Sequence, residues 1–486
     1  MSELDARTRW LALYVLCLAS LMIVLDVSIV GVALPSIKAD LGFSDTSLAW
    51  VVNGYLLTYG GFLLLGGRLG DLFGHRRLFL IGITLFTFAS LACGLANSTG
   101  ALVVSRGIQG LGGAIASAVS LSLMINLFTE PAERAKAMGV FGFVAAGGGS
   151  IGVLLGGILT DAINWHWIFL VNFPIGVAVV LLSLRLLPDA HVAPASRRLD
   201  LGGAVTVTAA LMLAVYAIVN ANQKGWTSLH TLGLLAVALA IFAIFLVIEV
   251  RVKSPLMPLG LFKSRNLATA DIVGVLWAAA MFTWFFLSAL YMQLVLGYTP
   301  LQIGLAFLPG NLIMGALSIG LSAKLVIRFG FRAPLATGLG LAALGLLLFA
   351  RAPVDGSYLV DIFPSMVLLG FGAGMAFNPV LLAAMSDVAP EESGLASGIV
   401  NTSFMMGGAL GLAVLASIAD SRSNSVLAAG HSLREALASG YHAAFLVGAI
   451  FAFSAATIGG LLLRNQAMPG HEQHEGSGAL ATAEAD

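Results

Sequence analysis

Apolar residues run along this chain in about fourteen stretches of roughly 20 residues, and the gaps between them hold nearly all of its charged residues. Each stretch is long enough to cross a bilayer as an α-helix. The pattern predicts an all-α polytopic membrane protein with 14 transmembrane helices. Six are expected at about 10 to 34, 47 to 66, 78 to 96, 101 to 128, 137 to 160 and 168 to 187. Two more follow at 201 to 220 and 229 to 248, then another six at 266 to 293, 301 to 326, 333 to 351, 358 to 385, 395 to 419 and 441 to 463.

Short motifs recur at offsets of 256 to 260 residues. Phe73-Gly74-His75-Arg76 returns as Phe329-Gly330-Phe331-Arg332, and Gly110-Leu111-Gly112 as Gly370-Phe371-Gly372. Glu133, Gly148, Gly149, Gly152 and Asp161 correspond in the same way to Glu392, Gly407, Gly408, Gly411 and Asp420. Two pseudo-symmetric six-helix halves are therefore expected, 10–187 and 266–463, with a linker at 188–265 that holds two inserted helices. Residues 1–9 and the polar, disordered tail 464–486 complete the chain. Parallel repeats with a site at their interface are the organisation of a secondary transporter.

Composition agrees with the pattern. Only 10% of residues are charged, 59% are hydrophobic and 57 are glycine, with a mean hydropathy of +0.97, which excludes a charged, water-facing surface on a domain of this size. The formal net charge of zero offers no field for nucleic acid. Cys17 and Cys93 lie in apolar segments and read as buried thiols. The first apolar run is too long for a signal-peptide core and is expected to remain as the first helix.

Charge placement gives an orientation. With the N-terminus in the cytoplasm, eighteen of the 24 Lys and Arg fall in inner gaps and five in outer ones. The positive-inside rule then predicts a multi-pass protein of the cytoplasmic membrane with both termini inside.

The gap after the second helix reads Gly67-Arg68-Leu69-Gly70-Asp71-Leu72-Phe73-Gly74-His75-Arg76-Arg77. It resembles the loop signature of the major facilitator superfamily, Gly-x-Leu-Ala-Asp-Arg-x-Gly-Arg-Arg. Leu25-Asp26-Val27-Ser28-Ile29-Val30-Gly31-Val32-Ala33-Leu34-Pro35 resembles the first-helix signature of that superfamily's fourteen-helix drug/proton antiporters. Trp165-His166-Trp167-Ile168-Phe169-Leu170-Val171-Asn172-Phe173-Pro174-Ile175-Gly176 and Arg106-Gly107-Ile108-Gln109-Gly110 are similar to two further elements of the same family. The resemblance covers about residues 10 to 465. It implies a cytoplasmic gate built from Gly67, Asp71, Gly74, Arg76 and Arg77, with Asp71 helping to latch the halves. It also implies an antiporter-type helix marked by Gly152, Gly156 and Gly157, although Val153 stands where that motif carries proline.

Asp26 and Arg106 are charges inside predicted spans. Each costs on the order of 2.5 to 3.5 kcal/mol at a helix centre, so such residues face a bundle interior or a water-filled cavity. Asp26 lies about 12 Å from the outer end of its helix and Arg106 about 8 Å, which lets them meet in the outer half of the first bundle. A desolvated carboxyl can hold a proton and one beside a guanidinium is kept charged. Coupling would require Asp26 to pass between those states and to meet a cationic substrate, with Arg106 and Gln109 beside it.

Other candidates are less specific. Gly110, Gly113, Ser117, Ser120 and Met124 form a stripe of small or polar groups suited either to a cavity wall or to helix packing. Asn53, Ser117, Trp277, Asn311, Asn378 and Asn401 are possible cavity residues. The aromatics of the ninth helix, Trp277, Phe282, Trp284, Phe285, Phe286 and Tyr291, suit stacking and cation–π contacts with an amphipathic drug, although most read as lipid-facing, and Asp271 and Glu249 lie near enough to helix ends to fall in the interface.

The sequence points to a secondary exporter of amphipathic drugs or antibiotics, cationic ones among them, driven by proton antiport and acting as a monomer. Its partners would be a small-molecule substrate, protons and the lipid bilayer, with no nucleic acid, cofactor or metal, and it would not be an enzyme. The ATP-binding run Gly-x-x-x-x-Gly-Lys-Ser/Thr is not found in the sequence. The alternatives are a facilitator or dedicated exporter of one endogenous metabolite, and a non-transporting membrane receptor.

Overall fold

The computed structural model describes residues 5–128, 130–188, 200–252, 255–386, 388 and 393–464. Among them there is no strand. The first group of helices is α1 (Ala6–Leu41), α2 (Asp45–Phe73), α3 (His75–Gly94), α4 (Thr99–Leu127), α5 (Pro131–Ala162), the single turn α6 (Trp167–Leu170) and α7 (Asn172–Leu186). Next comes a hairpin of α8 (Leu201–Lys224) and α9 (Leu229–Arg251). The last group is α10 (Arg265–Leu290), α11 (Pro300–Ala316), α12 (Ser322–Phe329), α13 (Arg332–Phe349), α14 (Phe363–Ser386), α15 (Ser393–Ala428) and α16 (Leu433–Leu462).

A helix satisfies its own backbone polar groups, so these segments need no water along their length; only their ends do. The polar residues in the gaps serve those ends. Ser44 with Ser47, Thr299 with Gln302 and Ser432 with Glu435 make reciprocal capping boxes at the starts of α2, α11 and α16. Gly74 at φ +94° and Gly330 at φ +70° reverse the chain after α2 and α12, a conformation that costs glycine little.

Twelve helices among the described residues are long and apolar enough to cross a bilayer. Two further apolar runs, Ile151–Ala162 within α5 and Pro300–Ala316, are shorter. The tenth expected span is interrupted because a π-helical turn at Leu317–Leu321 separates α11 from α12. The first helix is longer than its hydropathy suggests: it continues through Pro35 to Leu41 and so carries Asp26 toward its middle. The expected disordered tail and most of the linker before Asp200 lie outside the described residues.

Small residues set the helix contacts, as they do where lipid removes any hydrophobic drive between helices. On α5, Gly148, Gly152 and Gly156 stand against Val24, Ser28 and Ile29 of α1. On α15, Gly407 and Gly411 stand against Val275 and Ala279 of α10 in the same manner. The two groups meet along α2 with α15 and along α5 with α11, and α1 touches α10. Helix α8 packs across both α2 and α15, held by Asn222 Nδ2 to the Ser417 carbonyl at 2.7 Å, while α9 leans mainly on α8.

The aromatics of α10 correct an expectation. Trp277, Phe282, Trp284, Phe286 and Tyr291 are buried rather than lipid-facing, because α10 is surrounded by α14, α15 and α16. Asp271 and Glu249 are likewise buried within the protein.

Candidate functional site

Asp26 has no exposed surface and Arg106 is 2% exposed. The Arg106 Nη1 donates to Asp26 Oδ2 at 2.5 Å, and its Nε donates to the Val51 carbonyl of α2 at 2.9 Å. The Gln109 amide is fixed by the same pair: Nε2 donates to Asp26 Oδ1 at 2.7 Å while Oε1 accepts from Arg106 Nη1 at 2.6 Å. Asn172 Nδ2 is the third donor to the carboxylate, reaching Asp26 Oδ1 at 3.1 Å. Ser90 on α3 accepts from both Gln109 and Asn172 at 3.0 Å and donates to the Phe169 carbonyl.

The helices bring this about by periodicity. Arg106 and Gln109 are three residues apart, so both point from α4 to the same side. Asn172 opens α7, where the chain has just turned through α6. Around the guanidinium, the Tyr55 ring lies 4.4 Å and the Phe169 ring 5.6 Å from its carbon, adding cation–π attraction in a dry setting. Every group that hydrogen-bonds Asp26 is a donor. Such a pair is expensive to bury and far more expensive to break, because removing one partner strands the other charge away from water.

Asn172, Ser90 and Tyr55 were not singled out from the sequence. Asn172 could have been found, since it sits inside the Trp165 to Gly176 element; Ser90 and Tyr55 carry no such signal.

In the expected gate, the Asp71 side chain lies outside the described residues. Gly74 makes the turn, and Arg77 is exposed. Arg76 Nη2 donates to the Leu184 carbonyl in the last turn of α7 at 2.6 Å. Arg332, its counterpart in the repeat, donates in the same way to the Gly460 carbonyl near the end of α16. Each arginine thus ties the start of one helix to the open carbonyls at the end of another, where a cation is favoured. Open space surrounds Gly67.

The α5 glycines have two tasks. Gly152 and Gly156 admit α1: a Cβ there would lie 2.1 Å from Ser28 Oγ or 2.6 Å from the Ile29 carbonyl. Gly157 faces α11 instead, where a Cβ would lie 2.7 Å from the Pro300 carbonyl. Val153, in the place of the motif's proline, is buried, and α5 continues through it. Gly157→Leu is expected to hold α5 and α11 apart, costing about 1–3 kcal/mol by overpacking and slowing transport. Gly149→Ala, which meets nothing within 4 Å, should leave both unchanged. Melting temperature and transport rate of the two variants check this, and a Gly157→Leu protein that transports normally would rule out the contact as part of the cycle.

The remaining candidates divide. Gly110 and Gly113 pack against Thr58 and Tyr55 of α2, which accounts for the stripe on α4 as a packing surface at these positions; Ser117 faces Tyr59. Asn378 donates to the Ser318 carbonyl at 2.8 Å and Asn401 to the Ser397 carbonyl at 3.0 Å. Asn53 and Asn311 are buried with no hydrogen-bond partner. Trp277 and Asn401 are brought together at one small cavity. Among the described residues, no group of three His, Cys, Asp or Glu side chains is placed to hold a metal ion.

An all-helical membrane bundle whose two groups of helices meet through glycine-lined contacts, with a buried ion pair inside one of them, defines a polytopic membrane transporter. The chain belongs to the major facilitator superfamily, whose family model matches residues 16–412. It is 39% identical to the puromycin resistance protein pur8 of Streptomyces alboniger over 86% of this chain and 84% of that one. It is 38% identical to the cephamycin export protein CmcT of Amycolatopsis lactamdurans, covering 93% and 92%. An auto-inhibited POT family peptide transporter shares the fold, with a TM-score of 0.68 at 15% identity and coverage of 96% and 99%.

Proposed function

We propose that the chain is a secondary active exporter of antibiotics and other amphipathic drugs, exchanging them for protons across the cell membrane. In this reading it works as a monomer with fourteen crossings, counting α5 and the α11–α12 run, and with both termini in the cytoplasm. The helices α1–α7 and α10–α16 act as two halves that rock about the space between them. Antibiotic resistance and export are the roles for which the relatives above are named, and the excess of Lys and Arg on one side supports the orientation.

The observation that carries proton coupling is the Asp26–Arg106 pair: Asp26 and its three donors, Arg106, Gln109 and Asn172, are enclosed on three helices of one half. A proton on Asp26 would cancel the charge that holds Arg106, Gln109 and Asn172 in register. The freed guanidinium would then favour a different arrangement of α1, α2 and α4, and loss of the proton on the other side would restore the pair. In this conformation Asp26 is closed to cargo, so the proton, not the drug, is its exchange partner. One proton moving through 100 mV delivers about 2.3 kcal/mol, enough for roughly a 50-fold gradient of a neutral cargo.

Purified protein in liposomes, offered several cationic dyes and antibiotics with and without an imposed pH gradient, tests the reading. Gradient-dependent movement of several compounds is expected; movement that ignores the gradient would contradict it. A second reading, a dedicated exporter of one self-made metabolite, is favoured by the single-compound names of both relatives. It predicts that only one member of the panel moves.

A further inference from the structure

Asp271 belongs to none of the arrangements above. It lies on α10, six residues from the start of the helix or about 9 Å along its axis. Its exposure is 6%, and neither carboxylate oxygen has a hydrogen-bond partner. The Ser403 hydroxyl on α15 faces it.

Among the described residues, no cation on the surrounding helices is paired with it. Helix α14 contains no charged residue at all. The described charges of α15, Asp420 and Arg422, lie 17 or more residues beyond Ser403, on the order of 25 Å away. On α16, Val273 packs near Gly459, whereas Arg434, Glu435 and His442 belong to the other end of that helix. Arg265, on α10 itself, donates to the Leu462 carbonyl. On α1, Asp26 is engaged by Arg106, and Arg9 by Glu133 at 3.0 Å.

The contacts of α10 with α15 form a ladder. Gly411 meets Ala279 and Gly407 meets Val275, so residues 271 and 403 form the next rung. One turn from that rung, Gly274 and Trp277 line a narrow cavity of about 10 Å³ with Phe377, Asn401 and Phe404 among its other walls. The Phe404 ring lies 6.0 Å from those of Phe377 and Phe282, and Trp277 Nε1 has no partner. A space of this size admits no more than one water, so a larger guest enters only as α14 and α15 part from α10.

We propose that Asp271 and this aromatic cavity form the cargo-binding subsite for the charged end of an amphipathic organic cation. This rests on the exporter reading above and names the cargo class it selects. A carboxyl withdrawn from water without a donor is costly, and a bound cation supplies the missing partner. The rings of Trp277, Phe377 and Phe404 offer apolar contact and a quadrupole of the right sign for the same ligand. Asp26 has no such vacancy, because three side chains already donate to it.

Binding of tetraphenylphosphonium and of its uncharged relative triphenylphosphine oxide to the purified full-length protein tests the assignment. Asp271→Asn should weaken the cation by roughly tenfold or more while leaving the neutral probe within about twofold. Asp271→Glu should recover most of the cation affinity. Equal loss of both probes, or unchanged cation affinity, would overturn the proposal. If Asp271→Asn does not fold, Trp277→Leu provides the second test, with a preferential loss of the cation expected and equal loss contradicting it. Wild-type protein that shows the cation preference and its loss on Asp271→Asn, yet moves neither probe across a membrane, would refute the exporter reading and support this site.

Discussion

Asp26→Asn is expected to reduce export driven by a pH gradient to background, while exchange of labelled cargo at equal pH on both sides persists. The side chain keeps its size and can still accept from Gln109 and Asn172, so the local shape changes little. What it loses is the ability to gain and lose a charge. Arg106 is then left buried without its carboxylate, at a cost of about 3–5 kcal/mol. The amount of protein in the membrane must therefore be measured beside the transport rate. Unchanged gradient-driven export at equal protein would remove Asp26 from the coupling step.

Arg106→Leu is expected to destabilise the protein by a similar 3–5 kcal/mol, because the carboxylate of Asp26 is stranded instead. The Val51 carbonyl loses a donor and the Tyr55 ring its cation in the same substitution. Unfolding in mild detergent gives the measurement. Combining Asp26→Asn with Arg106→Gln removes both charges and should return most of the lost stability, since neither ion is then left alone. Here a purely structural pair and a coupling pair part company. If the pair only holds α1 to α4, gradient-driven export returns with stability; if Asp26 carries the proton, stability returns and export does not.

Much of the fold could be read from the chain because lipid demands long, uninterrupted apolar runs, and the residues between them have to cap helices or make turns. The Asp26–Arg106 pair was visible for the complementary reason: a charge within such a run is rare enough to suggest a partner. Other features gave no such signal. Lipid and the interior of a helical bundle are equally apolar, so hydropathy could not tell that Trp284 and Phe286 of α10 face other helices. Pro35, Lys38 and Asp40 read as the end of a span, yet α1 continues past them to Leu41. Asp271 looked interfacial by its distance from Arg265; only the packing of α15 over it shows that it is buried. Ser90 and Asn172, small polar residues in apolar surroundings, acquire meaning only when three helices place them beside Asp26.

The most direct test of proton exchange through Asp26 is to record proton and cargo fluxes together in liposomes, using a trapped pH-sensitive dye and a labelled substrate. Wild-type protein should move protons against the direction of cargo in fixed proportion, and Asp26→Asn should move cargo down its own gradient with no accompanying proton flux. Cargo moved by the wild type without any proton movement, or proton exchange that survives in Asp26→Asn, would contradict it.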